Sequence, residues 1–205
     1  MKMLINVIFL MNCILNCVFT ETSNNFLMIT SLAKLEETKI NAMKGDSLEA
    51  FKLFEHYELG LNDSQNGNLW IEICAENGDP YGMLIFAQSL EMSNKIERSK
   101  FFFFNAIQNS AFSTEKNAFY EKYPNFIIPN TSDIDKLNID TLKKIALQGN
   151  IKAAEKLSEL DSYWIKIAAQ NGSKKCMEEY SKLLEKKGDE LSIIRSKYWL
   201  NKSKE

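Results

Sequence analysis

The sequence predicts an all-α protein, an α/α superhelical solenoid built from irregular helix pairs. The segment from Trp70 to Gly78 returns from Trp164 to Gly172, with the same eight-residue step and with Asn directly before each glycine. Only eight glycines and three prolines occur in 205 residues, which argues against a fold with many turns. A unit that recurs along a chain is typical of stacked helical modules, each of which packs on its neighbours.

Composition favours a soluble chain that binds neither nucleic acid nor an anionic membrane surface. Apolar residues make up 45% and charged residues 25%, which are ordinary values for a globular domain. The formal net charge is −2, and lysine and glutamate are interspersed as on solvated helix faces. We find no glycine-rich phosphate loop and therefore predict no cofactor.

The N-terminus has the layout of a secretory signal peptide, which we place at residues 1–20. Lys2 precedes a stretch from Met3 to Phe19 that is apolar apart from Asn6, Asn12 and Asn16, and the first acidic residue is Glu21. We therefore expect an exported protein, periplasmic or secreted. A membrane contact is expected only if this N-terminus is retained as an anchor or lipidated, and the sequence leaves that alternative open.

Glycines after polar residues predict where helices end, because glycine adopts the left-handed conformation that closes a helix. Asp46 and Asp79 follow two of them and supply N-cap oxygens, and Pro80 fits a first helical turn. The predicted helix ends are Gly45, Gly78, Gly149 and Gly172.

Apolar residues recur at three- and four-residue steps between these glycines, so each unit is predicted to hold an A helix and a B helix. An N-terminal helical cap over residues 21–44 is expected to precede the repeats, and Pro124 and Pro129 predict an inserted loop at 120–134. Thr131 and Asp133 are expected to cap the helix that follows this loop. The repeat units are 45–77, 78–109, 110–148, 149–171 and 172–205. The B helices are expected at Leu69–Glu76, Arg98–Asn109, Asp140–Leu147 and Tyr163–Gln170.

The B helices carry an aromatic residue at a shared position. Arg98-Ser-Lys-Phe-Phe matches Arg195-Ser-Lys-Tyr-Trp, which aligns Phe102 with Trp199 and hence with Trp70 and Trp164. The third unit departs from this pattern, since Thr141 stands where the aromatic residue is expected.

These residues resemble the Sel1-like repeat family, whose fold is TPR-like, over about residues 40–205. The first unit matches through Ala42-x-x-Gly45, Ala50, Leu53, Tyr57-x-x-Gly60, Trp70, Ala75 and Gly78. The fourth matches through Ala146-x-x-Gly149, Ala154, Leu157, Trp164, Ala168-Ala169 and Gly172. The resemblance implies a stack of helix pairs that binds another protein. Exported members of such families include immunity proteins that neutralise secreted bacterial toxins.

One branch of that family is secreted and cysteine-rich, with disulfides between neighbouring units. The resemblance makes Gly82 the partner position of Cys74, and Ala168 the partner position of Cys176. Each of the two disulfides would therefore lack one of its cysteines. We expect both cysteines to be free, buried thiols. The missing cysteines argue against the hydrolase activity attributed to that branch.

Candidate catalytic and metal-binding residues are few, and we predict neither an enzyme nor a metal site. His56 is the only histidine, and neither cysteine has a histidine beside it. Hydroxyl nucleophiles and thiolates are commonly activated by such a histidine, and multi-histidine metal sites need several of them. We expect His56 to be an exposed or half-packed loop residue.

Two aromatic segments are the candidate partner-binding surface, although both can instead pack within the fold. Four consecutive phenylalanines on one helix point in every direction, so one is expected to leave the core. The candidate residues are Phe101, Phe104, Tyr120, Tyr123 and Phe126. We therefore expect an exported, non-catalytic protein-binding repeat protein, specifically an immunity protein that occludes a secreted toxin. An adaptor in envelope assembly or secretion, and a hydrolase of the cysteine-rich branch, are the alternatives.

Overall fold

The computed structural model describes residues 28–130 and 133–205, so the predicted signal peptide at 1–20 lies outside the described residues. Every regular element in these ranges is helical, which confirms the all-α prediction. The described helices are α1 Leu32–Met43, α2 Ser47–Phe54, α3 Ser64–Glu76, α4 Pro80–Met92, α5 Ile96–Ala106, α6 Ser113–Lys122, α7 Ile139–Leu147, α8 Ile151–Ser158, α9 Tyr163–Gln170, α10 Lys174–Lys187 and α11 Glu190–Lys202. A π-helical turn, Glu55–Gly60, continues α2, and short 3-10 helices precede α6 at Ser110–Phe112 and α7 at Ile134–Lys136.

The predicted glycine helix ends are confirmed. Backbone φ is +113° at Gly45, +95° at Gly78, and +106° at both Gly149 and Gly172. Residues with a Cβ atom rarely adopt such angles, so these glycines end α1, α3, α7 and α9 without strain.

The predicted helix starts after two of these glycines are confirmed as well. Asp46 accepts a hydrogen bond from the backbone N–H of Glu49 at 3.0 Å, and Asp79 accepts one from Gly82 at 2.6 Å. Pro80 is the first residue of α4, where its missing N–H costs no helical hydrogen bond.

The inserted segment differs from its prediction at both ends. Tyr120 lies on α6, because the helix continues to Lys122 before the first proline of the loop. Thr131 lies outside the described residues, and Asp133 forms no capping bond. Instead, Asn138 accepts from the backbone N–H of Thr141 at 2.9 Å and starts α7, since the chain at Leu137 is extended.

Consecutive helices pack against each other from α1 to α5 and again from α7 to α11. The aromatic residue of each matching B helix is buried between neighbours, and Tyr57 is half-buried. Buried alanines let the helix axes approach. The buried aromatic residues are Trp70, Phe102, Trp164 and Trp199, and the alanines include Ala42, Ala50, Ala87, Ala146, Ala154 and Ala168.

The series of helices closes on itself, because α11 packs on α1 while α5 packs on α7. A Cβ atom built at Gly45 would lie 2.8 Å from the ring of Tyr198, and one at Gly149 would lie 2.5 Å from the ring of Phe101. Tyr198 and Phe101 hold the same position in the two Arg-Ser-Lys segments. The contacts are therefore reciprocal: the five-helix halves α1–α5 and α7–α11 dock on each other in the same way, and α6 is an insertion between them.

Candidate functional site

Helices α3 and α9 hold corresponding positions in the two halves and meet through polar side chains. Lys166 Nζ lies 2.9 Å from Oε1 of Glu72. Gln170 Nε2 donates to Oε1 of Glu76 at 2.6 Å and to Oε1 of Glu72 at 3.0 Å. The repeat alignment pairs Glu72 with Lys166 and Glu76 with Gln170. Corresponding residues are thus complementary rather than identical, as their contact requires, since two facing carboxylates would repel.

Arg195 of α11 is buried and docks on the end of α3. Its Nη2 donates to Oε2 of Glu76 at 2.7 Å, and its Nη1 donates to Oδ1 of Asn77 at 2.7 Å. The guanidinium lies over the ring of Tyr198, 3.9 Å from the centroid, and 5.4 Å from that of Trp199. The arginine thereby joins the last helix to the first half through a paired, hydrogen-bonded charge.

Arg98 of α5 makes the corresponding contact with the end of α9. Its Nη1 donates to Oδ1 of Asn171 at 2.6 Å, and its Nη2 donates to Oε1 of Gln170 at 2.8 Å. The guanidinium lies over Phe101 and Phe102, at 4.2 and 4.8 Å from the centroids. The two arginines therefore differ in the group that accepts from Nη2. Arg195 binds the carboxylate of Glu76 on α3, whereas Arg98 binds the amide of Gln170 on α9.

Burial and neighbouring charges set the protonation of this central cluster. Burial favours the neutral acid at Glu76, but Lys166 and Arg195 outweigh it and hold the pKa of Glu76 below its ordinary value. Burial also opposes the charge on Lys166, yet the carboxylates of Glu76 and Glu72 raise the pKa of Lys166. Burial lowers the pKa of Arg98 to about 10, which leaves its guanidinium protonated at neutral pH. Three cations thus surround two carboxylates.

A groove with a volume of about 790 Å³ opens beside this cluster. Its walls are α3, α4, the start of α5, and α9. The floor is formed by buried apolar side chains, and the rim is formed by exposed amide, hydroxyl and charged groups. The floor residues include Phe86, Leu90, Phe102 and Ile167, and the rim residues include Gln65, Asn68, Ser93, Asn94 and Lys95.

Two apolar side chains of the groove face solvent. Leu69 on α3 is 43% exposed and Tyr163 on α9 is 57% exposed. These residues correspond in the repeat alignment, so the two halves present a large apolar group at the same place. An exposed apolar pair above a buried apolar floor is a surface suited to binding another molecule.

The five aromatic residues predicted to contact a partner do not line this groove. Phe101 is buried against Gly149, and the other four pack around the fully buried ring of Phe119. Centroid distances to Phe119 are 6.3 Å for Phe104, 5.4 Å for Tyr120, 5.2 Å for Tyr123 and 5.4 Å for Phe126. These contacts join α5, α6 and the inserted loop into one cluster. A partner-binding role for these residues stays a prediction.

The two described cysteines are free and buried, as predicted. Burial raises the pKa of Cys74 to about 12, so the group is a neutral thiol rather than a nucleophilic thiolate. A Cβ atom built at Gly82 would lie 2.5 Å from Sγ of Cys74. The two positions that the family resemblance pairs are therefore adjacent, and the glycine leaves room for the sulfur.

The prediction that His56 is an exposed or half-packed loop residue is wrong. The π-helical turn continues α2 through this position and buries the imidazole beside Tyr57, with ring centroids 5.0 Å apart. Burial, followed by the charge of Lys39, lowers the pKa of His56. The histidine is a neutral core residue at neutral pH.

The sequence shows the Arg98 segment as a repeat match, but neither the contacts of Arg98 nor the groove could be predicted from it. The acceptors of Arg98 lie on α9, far along the chain, and no local pattern identifies them. The signal that was available is the second Arg-Ser-Lys copy at Arg195, since two copies of one segment are expected to dock in equivalent ways.

In the described part of the chain, no three His, Cys, Asp or Glu side chains come together in a way that would hold a metal ion. No helix there is long and apolar enough to cross a membrane. Comparison of the chain with protein-family models, with curated proteins and with solved structures finds no match. The likeness to Sel1-like repeats therefore rests on the residues themselves.

Proposed function

We propose that this chain binds another protein, and that the groove between α3, α4, α5 and α9 holds an extended segment of that partner. The groove itself supports the proposal, because it combines a volume of about 790 Å³ with a buried apolar floor and a polar rim. Apolar pockets bind the side chains of a ligand, while a few polar groups fix its direction.

The groove is preformed, which favours binding. Phe86 and Phe102 on its floor pack edge to face, 4.8 Å apart, and both belong to the main apolar core of the first half. A partner segment would therefore find its pocket already ordered, and association would lose less conformational entropy than binding to a mobile loop.

Leu69 and Tyr163 supply the contacts from which we expect most of the binding free energy. Both are large and exposed at the groove walls. Tyrosine is enriched among the few interface residues that dominate binding, because it contributes apolar area and a hydroxyl with little loss of entropy.

At the level of the fold, the proposal is a superhelical solenoid of Sel1-like repeats. The positive-φ glycines, the buried aromatic residues of the B helices and the order of packing support it. The docking of α11 on α1 means that the first and last repeats cover each other's ends, a role that terminal caps have in open solenoids.

In its specific form, the proposal is that the protein acts after export and that its partner is a secreted toxin. The apolar N-terminal sequence and the family resemblance are the grounds for this step, and binding in the groove would occlude the toxin surface.

The test is capture of a partner from the exported fraction of the native cells, followed by titration with the purified partner. Leu69→Asp places a charge on the groove wall at an exposed site, so the fold is expected to be retained. We expect this change to weaken binding at least about tenfold, because it buries an unpaired carboxylate at the interface.

Leu48→Asp is the matched control, since Leu48 is 61% exposed on α2 and does not line the groove. We expect it to bind the partner like the unmodified protein. Equal binding by the Leu69 and Leu48 variants would exclude the groove as the binding site. If the captured partner is a toxin, co-expression of the unmodified protein should protect cells and the Leu69 variant should not.

A further inference from the structure

The two halves differ in charge at the residue that starts their last helix. Helices α4 and α10 both end at a residue with positive φ, Asn94 at 58° and Gly188 at 79°. The next residue is the N-cap of the following helix in each half. Asp189 accepts from the backbone N–H of Ser192 at 2.9 Å, whereas Lys95 forms no capping bond and, as an ammonium, has no acceptor to offer.

The groups that accept from the buried arginines of the two halves also differ in charge. Nη2 of Arg195 binds a carboxylate oxygen of Glu76 at 2.7 Å, whereas Nη2 of Arg98 binds the amide oxygen of Gln170 at 2.8 Å. The other acceptors that Arg98 meets in the described residues, Asn171 Oδ1 and the carbonyl of Leu147, are also neutral. Arg98 is only 5% exposed, and its Nε, like that of Arg195, has no hydrogen-bond partner among the described residues.

Both of these sites in the first half face the same space, because Lys95 and Arg98 line the groove. The two carboxylates that also line it, Glu72 and Glu97, are already paired with lysines at 2.9 and 3.1 Å. The charges of Glu72 and Glu76 act on Arg98, but no carboxylate among the described residues accepts a hydrogen bond from its guanidinium. A carboxylate that entered the groove and accepted such a bond would therefore be stabilised.

We propose that the groove recognises an acidic side chain of the partner segment, whose carboxylate lies at the start of α5 between Lys95 and the guanidinium of Arg98. Arg195 indicates the chemistry of this occupant, since its Nη2 binds a carboxylate oxygen of Glu76 and the N-cap of its helix, Asp189, is also a carboxylate. The N–H groups of the first turn of α5 add a positive partial charge. This inference rests on the proposed function, because it names the chemistry that the same groove selects.

The test uses three short peptides whose sequences match except at one group, each titrated into the full chain. The first is N-acetylated and C-amidated with one central Glu, the second replaces Glu by Gln, and the third is the Gln peptide with a free C-terminal carboxylate. We expect the Glu peptide to bind about tenfold or more tightly than the Gln peptide, since hydrogen bonds to charged groups are about twice as strong as neutral ones. Equal affinity of the free-acid peptide and the Glu peptide would overturn the assignment to a side chain.

Two variants identify the site. Lys95→Asp supplies the capping carboxylate that α11 has, and we expect it to abolish the preference for Glu. Lys197→Asp makes the same change in net charge at an exposed position on α11 and should keep the preference. Loss of the preference in both variants would show a general effect of net charge and would contradict the proposal.

The remaining outcomes separate this inference from the proposed function. Equal binding of the Glu and Gln peptides by the unmodified protein would overturn the carboxylate site and leave the groove as a peptide site. If no peptide binds, acetate serves as the carboxylate probe. The chemical shift of the Arg98 Nε–H group is then measured by NMR in sodium acetate and in sodium chloride at the same concentration. An unmoved resonance would overturn the carboxylate site, whereas weaker binding of the partner by Leu69→Asp than by Leu48→Asp would still support the groove.

Discussion

The imidazole of His56, the only histidine of the chain, is buried where α2 continues into a π-helical turn. Burial, followed by the charge of Lys39, lowers its pKa, and its Nδ1 has no hydrogen-bond partner among the described residues. The folded state therefore binds a proton less readily than the unfolded chain, whose histidine has a pKa of about 6.5.

Stability should depend on pH through this residue. Its contribution is complete above about pH 6.5 and is lost as the pH falls through the lowered folded-state pKa, because the unfolded chain is protonated first. We expect denaturant titrations at about pH 7.5 and 5.5 to show a fall in the free energy of unfolding that His56→Phe reduces. The same fall in both proteins would contradict the assignment.

The position of His56 could not be predicted from the sequence, and the reason is local. The Tyr57-x-x-Gly60 pattern indicates a turn, whereas the chain adds a π-helical turn after α2 before it leaves the helix. Helical periodicity is read at 3.6 residues per turn and does not reveal such a turn. The capping residues Asp46 and Asp79, in contrast, act within three residues of themselves and were predictable.

The contact between Gly82 and Cys74 allows a direct test of the repeat alignment. A Cβ atom at Gly82 would lie 3.1 Å from Cβ of Cys74, against about 3.5–4.5 Å in disulfides, so a small shift of α4 suffices for a bond. We expect Gly82→Cys to form a disulfide with Cys74 on oxidation, measured by peptide mapping without reductant. Gly78→Cys is the control and should stay reduced, because a Cβ atom there meets nothing within 4 Å. A free thiol at position 82 would count against the repeat alignment.

Among the elements, the last helix decides whether the stack is open or closed. Tyr198 of α11 lies against Gly45 at the end of α1, and its hydroxyl donates to the backbone carbonyl of Glu76 at 2.8 Å. Lys202 Nζ donates to the same carbonyl, also at 2.8 Å. Helix α11 thereby fixes the ends of both α1 and α3.

Replacing Gly45 and Gly78 by alanine distinguishes the cost of backbone strain, which both sites share, from the cost of disturbing the contact between α1 and α11, which only Gly45 makes. Both residues have positive φ, so each change costs about 1–2 kcal/mol. Only at Gly45 does the added methyl group meet a ring, that of Tyr198, and overpacking there adds about 1–3 kcal/mol. We expect chemical denaturation to show a greater loss of stability for Gly45→Ala than for Gly78→Ala.

A double-mutant cycle is the control for this prediction. Combining Gly45→Ala with Tyr198→Ala should recover the extra loss, because the ring that clashes is gone. The Gly78→Ala and Tyr198→Ala changes should be additive. Additive losses for Gly45 and Tyr198 would mean that α11 does not rest on the end of α1.

The helices themselves could be predicted from the sequence, but their closure could not. Apolar spacing and glycine ends are local signals, and they placed α9 at Tyr163–Gln170 as observed. They were less accurate at helix starts that no glycine marks, since α3 begins at Ser64 rather than at Leu69, and α5 spans Ile96–Ala106 rather than Arg98–Asn109. The contact between Tyr198 and Gly45 joins two different repeats that are far apart along the chain. A pattern read within one unit contains no information about such a contact.

In the whole molecule, the two halves are alike in helix order and unlike in charge. Corresponding residues meet where α3 and α9 face each other, so identical carboxylates there would repel, and the chain carries Glu76 against Gln170. The same difference leaves Arg98 without a hydrogen-bonded carboxylate, and the groove that it lines also contains Lys95 and Lys166 against Glu72 and Glu97. The asymmetry that lets the halves dock therefore also distinguishes their surfaces.

The groove is a property of the assembled molecule. Its walls come from both halves, since α3, α4 and α5 belong to the first and α9 to the second. The aromatic segments at Phe101–Phe104 and in the insertion were conspicuous in the sequence, yet their described contacts are mostly with each other. The residues that line the groove are ordinary within their own helices and become a surface only on closure.

The central claim is that the groove binds a partner protein, and site-specific photo-crosslinking in the native cells tests it most directly. A photo-reactive amino acid is placed at Leu69 in the groove or, in a second protein, at Leu48 on α2 outside it, both exposed. We expect Leu69 to yield one discrete crosslinked protein that excess unmodified protein competes away, and Leu48 to yield none. Capture of the same protein from both positions with equal yield, or no capture from Leu69, would contradict the claim.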